Sequence, residues 1–273
     1  MAEITSKLIQ QKIVEIAKTQ VASPPSNQRS YYTNHSTGMD KYGLYSSKVT
    51  GAEWCTSFAD WCYIKAFEEL LPNDKKSLAT KYAALLTCQP IAGSDGASST
   101  AAFRYFKKSG YGKGPNSTIG TYYFSSFESP SLEYFKANKD SLFGAKVFIG
   151  WGPRFNLCHT GILTDVRNSG YVETIEGNTG SFPGTLTYRK GTTGYADKTS
   201  WGRIVGVGLF NWKAVLDEAK KDGIEFSEDN SSTIQTGGLY VGKEYTIPYV
   251  YFNGDWHKVD SYVYSSTWKT SEK

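Results

Sequence analysis

The chain has 273 residues, 39% hydrophobic, 15% aromatic and 21% charged, with a net charge of +4. That length buries one large core, and the composition is that of a globular protein rather than a disordered or fibrous one. Basic residues form no dense run, which argues against nucleic acid as a partner; no apolar stretch approaches the roughly 20 residues of a membrane span; and Met1 to Lys7 has no basic-then-apolar leader, so no signal peptide is expected.

Apolar residues at Ile4, Leu8, Ile9, Ile13, Ile16 and Ala17 predict an amphipathic helix over 4–20, ended by Pro24-Pro25. Residues 26–52 are polar and rich in Tyr, Gly and Ser and are expected as a long loop. Phe58, Trp61, Cys62, Ile64 and Phe67 repeat at helical spacing, predicting a helix over 54–70 that Pro72 stops; further helices are expected near 74–87, 97–109 and 131–137. The pattern then changes. Segments 146–150, 159–166, 170–176, 185–189 and 204–210 read as strands parted by turn residues, followed by a short helix at 212–221. Helices followed by a meander of strands define an α+β fold, with N-terminal helices packed on an antiparallel sheet. This body is assigned to residues 1–222, and the polar stretch 223–235 is assigned as a linker. Residues 236–273 form a small β module, in which Tyr-Val-Tyr occurs at Tyr249-Val250-Tyr251 and again at Tyr262-Val263-Tyr264, each copy followed by Trp. Asn253-Gly254 is a strong hairpin turn.

The chemistry concentrates in three places. Cys55 opens the helix predicted at 54–70, where the positive end of the helix favours a thiolate. Of the three histidines, His35 lies in the polar loop and His257 in the C-terminal repeat; His159 alone lies on a core strand. Glu176 and Asn178 follow on the next strand, two residues apart and therefore on one face, and either can orient an imidazole. A nucleophile, a base and an orienter are the parts of a thiol hydrolase. Cys62, seven residues from Cys55, and Cys88 are assigned to packing; Cys158 should point away from the site if His159 points in; the four thiols are read as free. Trp54 is open to two readings, core anchor or wall of a substrate groove.

The segments Trp54-Cys55-Thr56-Ser57-Phe58-Ala59-Asp60-Trp61-Cys62, His159-Thr160-Gly161-Ile162-Leu163 and Tyr171-Val172-Glu173-Thr174-Ile175-Glu176-Gly177-Asn178-Thr179 together resemble the CHAP family, the cysteine, histidine-dependent amidohydrolases/peptidases of papain-like fold found in phage lysins and bacterial wall hydrolases. The resemblance covers roughly residues 5–212 and omits the tail. It implies Cys55 as nucleophile, His159 as base and Glu176 as orienter, with Asn178 an alternative or additional partner. It implies a peptidoglycan-cleaving amidase or endopeptidase that needs no cofactor. An upstream oxyanion donor is expected among Tyr42, Tyr45 and Ser46, with Tyr42 and Trp54 as groove residues. The chain departs from the family at the turn before β-strand 146–150, where Phe143-Gly144-Ala145 replaces the usual Pro-Gly-Asp. Asp40 is the one acidic residue over 30–50, so a calcium site is not carried over and no metal is expected. Peptidoglycan is the expected partner, and other virion proteins are expected at the C-terminal repeat. The protein is expected in the host cytoplasm or the virion before delivery to the wall. The alternative reading is a virion structural or tail-tip protein whose CHAP-like domain serves assembly or wall binding.

Overall fold

The computed structural model describes residues 4–114, 132–151, 156–167, 172–179, 185–190, 203–227, 239–240, 249–252 and 255–258. Contacts divide the chain into two compact units, Met1–Glu228 and Asp229–Lys273.

The first unit begins with a short strand, β1 (Ile4–Thr5), and helix α1 (Ser6–Ala22), whose N-terminus is capped by the Thr5 hydroxyl accepting from the Leu8 amide at 3.1 Å. Ile9, Ile13, Ile16 and Ala17 are buried, as their spacing requires. The segment expected as a loop holds two short helices, α2 (Gln28–Thr33) and α3 (Met39–Tyr42). Their reason is tertiary. The Tyr32 ring is wholly buried between Trp54, Phe58 and Trp61, with ring centroids 5.0–5.3 Å away, and that packing gives these polar residues a surface on which to coil.

Helix α4 (Cys55–Leu70) is the centre of the unit, with twelve of its 16 residues buried. A helix apolar on most of its circumference belongs inside a core. A 3-10 turn (Asn73–Leu78) and α5 (Ala79–Leu86) share the helical span expected near 74–87, followed by α6 (Ser99–Lys108), β2 (Gly112–Lys113), α7 (Leu132–Ala137) and α8 (Lys139–Leu142).

The sheet strands are β3 (Lys146–Trp151), β4 (Asn156–Val166), β5 (Val172–Thr179), β6 (Thr185–Lys190) and β7 (Arg203–Gly208). With β2 they form six strands in the order β2-β7-β3-β4-β5-β6, every pairing antiparallel. Sequential strands joined as neighbours, with helices segregated from them in the chain, make the unit α+β. Helix α4 lies against β4 and β5 and is flanked by α1 and α5.

Helix α9 (Trp212–Asp222) starts on an Asn211 cap, whose side chain accepts from the Ala214 amide at 3.1 Å, and ends at Gly223 in the left-handed region, φ 67°. The assigned linker does not begin there. Ile224 is buried, and β8 (Phe226–Ser227) pairs in parallel with β1 while Phe226 packs edge-on against Phe67 and Tyr82. A phenylalanine with two aromatic neighbours is held more strongly than the polar residues around it can free it.

One polar cluster interrupts the core. Asp60 on α4, 2% exposed, accepts from the Lys146 ammonium, from the Tyr45 hydroxyl at 2.6 Å and from Gln89 at 3.1 Å. Lys146 has no exposed surface and lies over the Tyr63 ring, 5.4 Å from its centroid. This cluster ties α4 to the first residue of β3 and to the segments around residues 45 and 89.

In the second unit, β9 (Leu239–Tyr240), β10 (Tyr249–Phe252) and β11 (Asp255–Lys258) form an antiparallel sheet in the order β11-β10-β9. The Phe252–Asp255 register leaves Asn253-Gly254 as the two connecting residues, the spacing of a tight hairpin. The repeat's second copy, 262–268, lies outside the described residues. Among the described residues no helix is long and apolar enough to cross a membrane.

Candidate active site

Helix α4 begins at Cys55 because of packing rather than a capping side chain. Its N-cap is Trp54, which makes no side-chain cap hydrogen bond. The Trp54 ring is wholly buried, stacked on Tyr32 at 5.2 Å with 15° between planes. The ring therefore anchors the start of the helix and is not a groove wall. The first amides of α4 receive no side-chain acceptor from the cap, so the positive end of the helix is directed at whatever lies beside Cys55.

His159 sits on β4 opposite Ile149 of β3, and Glu176 sits on β5 one residue past the Ile162–Ile175 pair. All three side chains are enclosed: Cys55 is 6% exposed, His159 3% and Glu176 0%. His159 Nε2 lies 2.9 Å from Glu176 Oε2, and Cys55 is near enough to His159 that each shifts the other's proton affinity. Thiol, imidazole and carboxylate form one electrostatically coupled group.

Gly161 makes room for that group. It faces Glu176 across the strand pair, and a Cβ there would stand 2.6 Å from Glu176 Cγ and 3.0 Å from the Ile175 carbonyl oxygen. Without a side chain at 161, Glu176 lies across β4 toward His159. Gly161→Ala is expected to displace Glu176 and slow alkylation of Cys55 at neutral pH several-fold, read by the rate of iodoacetamide labelling.

The electrostatics follow from these contacts. Burial acts to raise the Cys55 thiol and is the largest single influence. The hydrogen bond and charge of His159, a contact from the Thr56 hydroxyl at 3.8 Å and a hydrogen bond from the Thr160 backbone act together against it and leave the thiol below its ordinary value. Burial acts to lower His159, but its hydrogen bonds to Cys55 and Glu176 and their negative charge lift it to about 9. Thiolate and imidazolium favour each other. The other described thiols behave differently: burial pushes Cys62 well above its ordinary value and Cys88 up to about 12. Cys55, Cys62 and Cys88 are all free. The Cys158 side chain lies outside the described residues.

Asn178 is not where strict alternation along a strand places it. The β5–β6 register shifts between Glu176 and Thr179, and Asn178 has φ 60°. A left-handed residue in a bulge breaks the two-residue period, and the Asn178 amide donates to the Glu53 carboxylate, which also binds Arg29 at 3.2 Å. Asn178 thus ties the end of β5 to the segment entering α4. Tyr42 is placed elsewhere too. It lies beside Glu68, which is more than three helical turns along α4 from Cys55. Of the upstream donors, Tyr45 is the one electrostatically coupled to Cys55, but its hydroxyl is given to Asp60; the Ser46 amide donates to the Ser94 carbonyl at 2.7 Å.

Two contributors are absent from the sequence reading. The Thr160 amide is a backbone group, which no side-chain pattern advertises. Thr174 donates to Glu176 Oε1 at 2.7 Å; its signal was available, since residues two apart on a strand share a face. Among the described residues no group of three or more His, Cys, Asp and Glu side chains is placed to hold a metal ion.

Comparison with protein-family models, with curated proteins and with solved structures returns no match.

Proposed function

We propose that the protein is a cysteine hydrolase of papain-like, CHAP type that cleaves amide bonds of peptidoglycan. The observation that carries the reading is the buried set of Cys55 at the start of α4 and His159 on β4, with His159 Nε2 2.9 Å from Glu176, and the electrostatic coupling of Cys55 to His159 supports it. A buried thiol with no reactive task is expected to be raised, as Cys62 is.

In the proposed reaction the Cys55 thiolate attacks the amide carbonyl carbon and the carbonyl electrons move to oxygen. The Cys55 amide, at the positive end of α4, is aimed at that oxyanion. As the tetrahedral intermediate collapses, the carbon–nitrogen bond breaks and His159 gives its proton to the departing amine. Water, deprotonated by His159, then attacks the thioester; the carbon–sulfur bond breaks, releasing the acid and restoring the thiolate–imidazolium pair. Glu176 holds the ring through Nε2 and balances its charge throughout. The three linked motifs described above support peptidoglycan as substrate, and the mild positive balance suits an anionic wall.

The test is mass analysis of soluble fragments from purified cell walls. New amino or carboxyl termini on peptide fragments, without new sugar reducing ends, are expected. Release of fragments cut only at glycosidic bonds, or of none, would overturn the reading.

A further inference from the structure

We propose that Thr174 is a positioning residue for this site, acting through Glu176; the proposal rests on the hydrolase reading above. Glu176 has no exposed surface, so each of its oxygens needs a protein partner. Oε2 meets His159 Nε2 at 2.9 Å, and Oε1 accepts from the Thr174 hydroxyl at 2.7 Å. The last torsion of a glutamate is soft and roughly two-fold. Anchoring both oxygens, one by His159 and the other by Thr174, sets the plane of the carboxylate.

Thr174 is suited to the second anchor. It lies two residues before Glu176 on β5, on the same face, and is itself fully buried. Its branched Cβ restricts the first torsion, and the pairs Leu163–Thr174 and Thr174–Arg189 hold its backbone between two strands. The hydroxyl stands one step further from the sulfur than Glu176 does, so its influence on Cys55 passes through the carboxylate and the imidazole.

The experiment reads the pH profile of Cys55 alkylation by iodoacetamide, which needs no knowledge of the substrate, alongside wall hydrolysis. Thr174→Val keeps the shape and removes the donor; Thr174→Ser keeps the donor. Thr174→Val is expected to move the alkaline limb, set by His159, to lower pH and to reduce hydrolysis about tenfold, the scale of one hydrogen bond to a buried charge. Thr174→Ser is expected to retain the parental limb. Added to Glu176→Gln, Thr174→Val is expected to change neither readout further. An unchanged profile in Thr174→Val, a serine variant that behaves like valine, or an undiminished second loss in the Glu176→Gln background would each overturn the proposal. If Thr174→Val does not fold, Thr174→Ser and Thr174→Ala carry the same comparison. A shifted alkylation profile in a protein that leaves walls intact would uphold Thr174 and sink the assigned substrate.

Discussion

Cys55→Ala is expected to release no fragments from purified walls while melting within a few degrees of the parent. The reason is local. The sulfur is the single bond-forming atom in the proposed reaction, so its loss removes the route rather than slowing it. The backbone meanwhile keeps its helix, because alanine is the best helix former, and the vacated space is that of one atom. Persistent lysis at parental rate would show that the nucleophile lies elsewhere. Two companion variants order the remaining roles: His159→Ala removes both base and acid, whereas Glu176→Gln keeps the shape and loses the charge, so the first is expected to cost more turnover. The pH dependence has a definite sign. Below its lowered range the thiol is protonated and inert, so activity rises as pH climbs through that range, which lies under the ordinary value of 9.0. Above about 9 His159 loses the proton that the leaving amine needs, so activity falls. A single rising limb, continuing beyond pH 10, would contradict an imidazolium partner.

Lys146→Met is expected to lower stability by about 3–5 kcal/mol, the scale for stranding one member of a buried ion pair. Asp60 then keeps the Tyr45 and Gln89 donors but loses its counter-charge, in a position only 2% exposed. For a unit of this size the loss corresponds to a fall in Tm of roughly 10 °C. Restoring neutrality with Asp60→Leu in the same chain is expected to recover much of the loss, since an apolar pair of similar volume avoids the desolvation cost. Thermal melts of the two single variants and the double variant measure this coupling. Additive losses would mean that Asp60 and Lys146 do not act as a pair.

How much of this was legible beforehand depended on whether the cause was local. Helix α4 and the place of Cys55 at its start follow from the spacing of Phe58, Trp61, Ile64 and Phe67 and from Pro72. The strand meander follows from alternation and turn residues. The hairpin that brings Glu176 to His159 follows from chain order together with an antiparallel register. The turned position of Asn178 does not, because a left-handed residue in a bulge is decided by the neighbouring strand and by the Glu53 carboxylate. Nor does α2, whose residues are mostly polar and whose Tyr32 is seated against Phe58 and Trp61 of α4. Lys146 is the plainest case. A lysine at the first position of a strand reads as a solvated end, and only the buried carboxylate of Asp60 makes it a core residue.

The near-complete enclosure of α4 has a consequence for how such a protein diversifies. The helix that carries the sulfur touches other elements on almost every side and offers few outward positions that can change without cost to the core. Differences in what the site accepts must therefore be written in the segments that approach the thiol from outside, and chimaeras that exchange those segments while keeping Cys55–Leu70 intact are the natural route to altered selectivity.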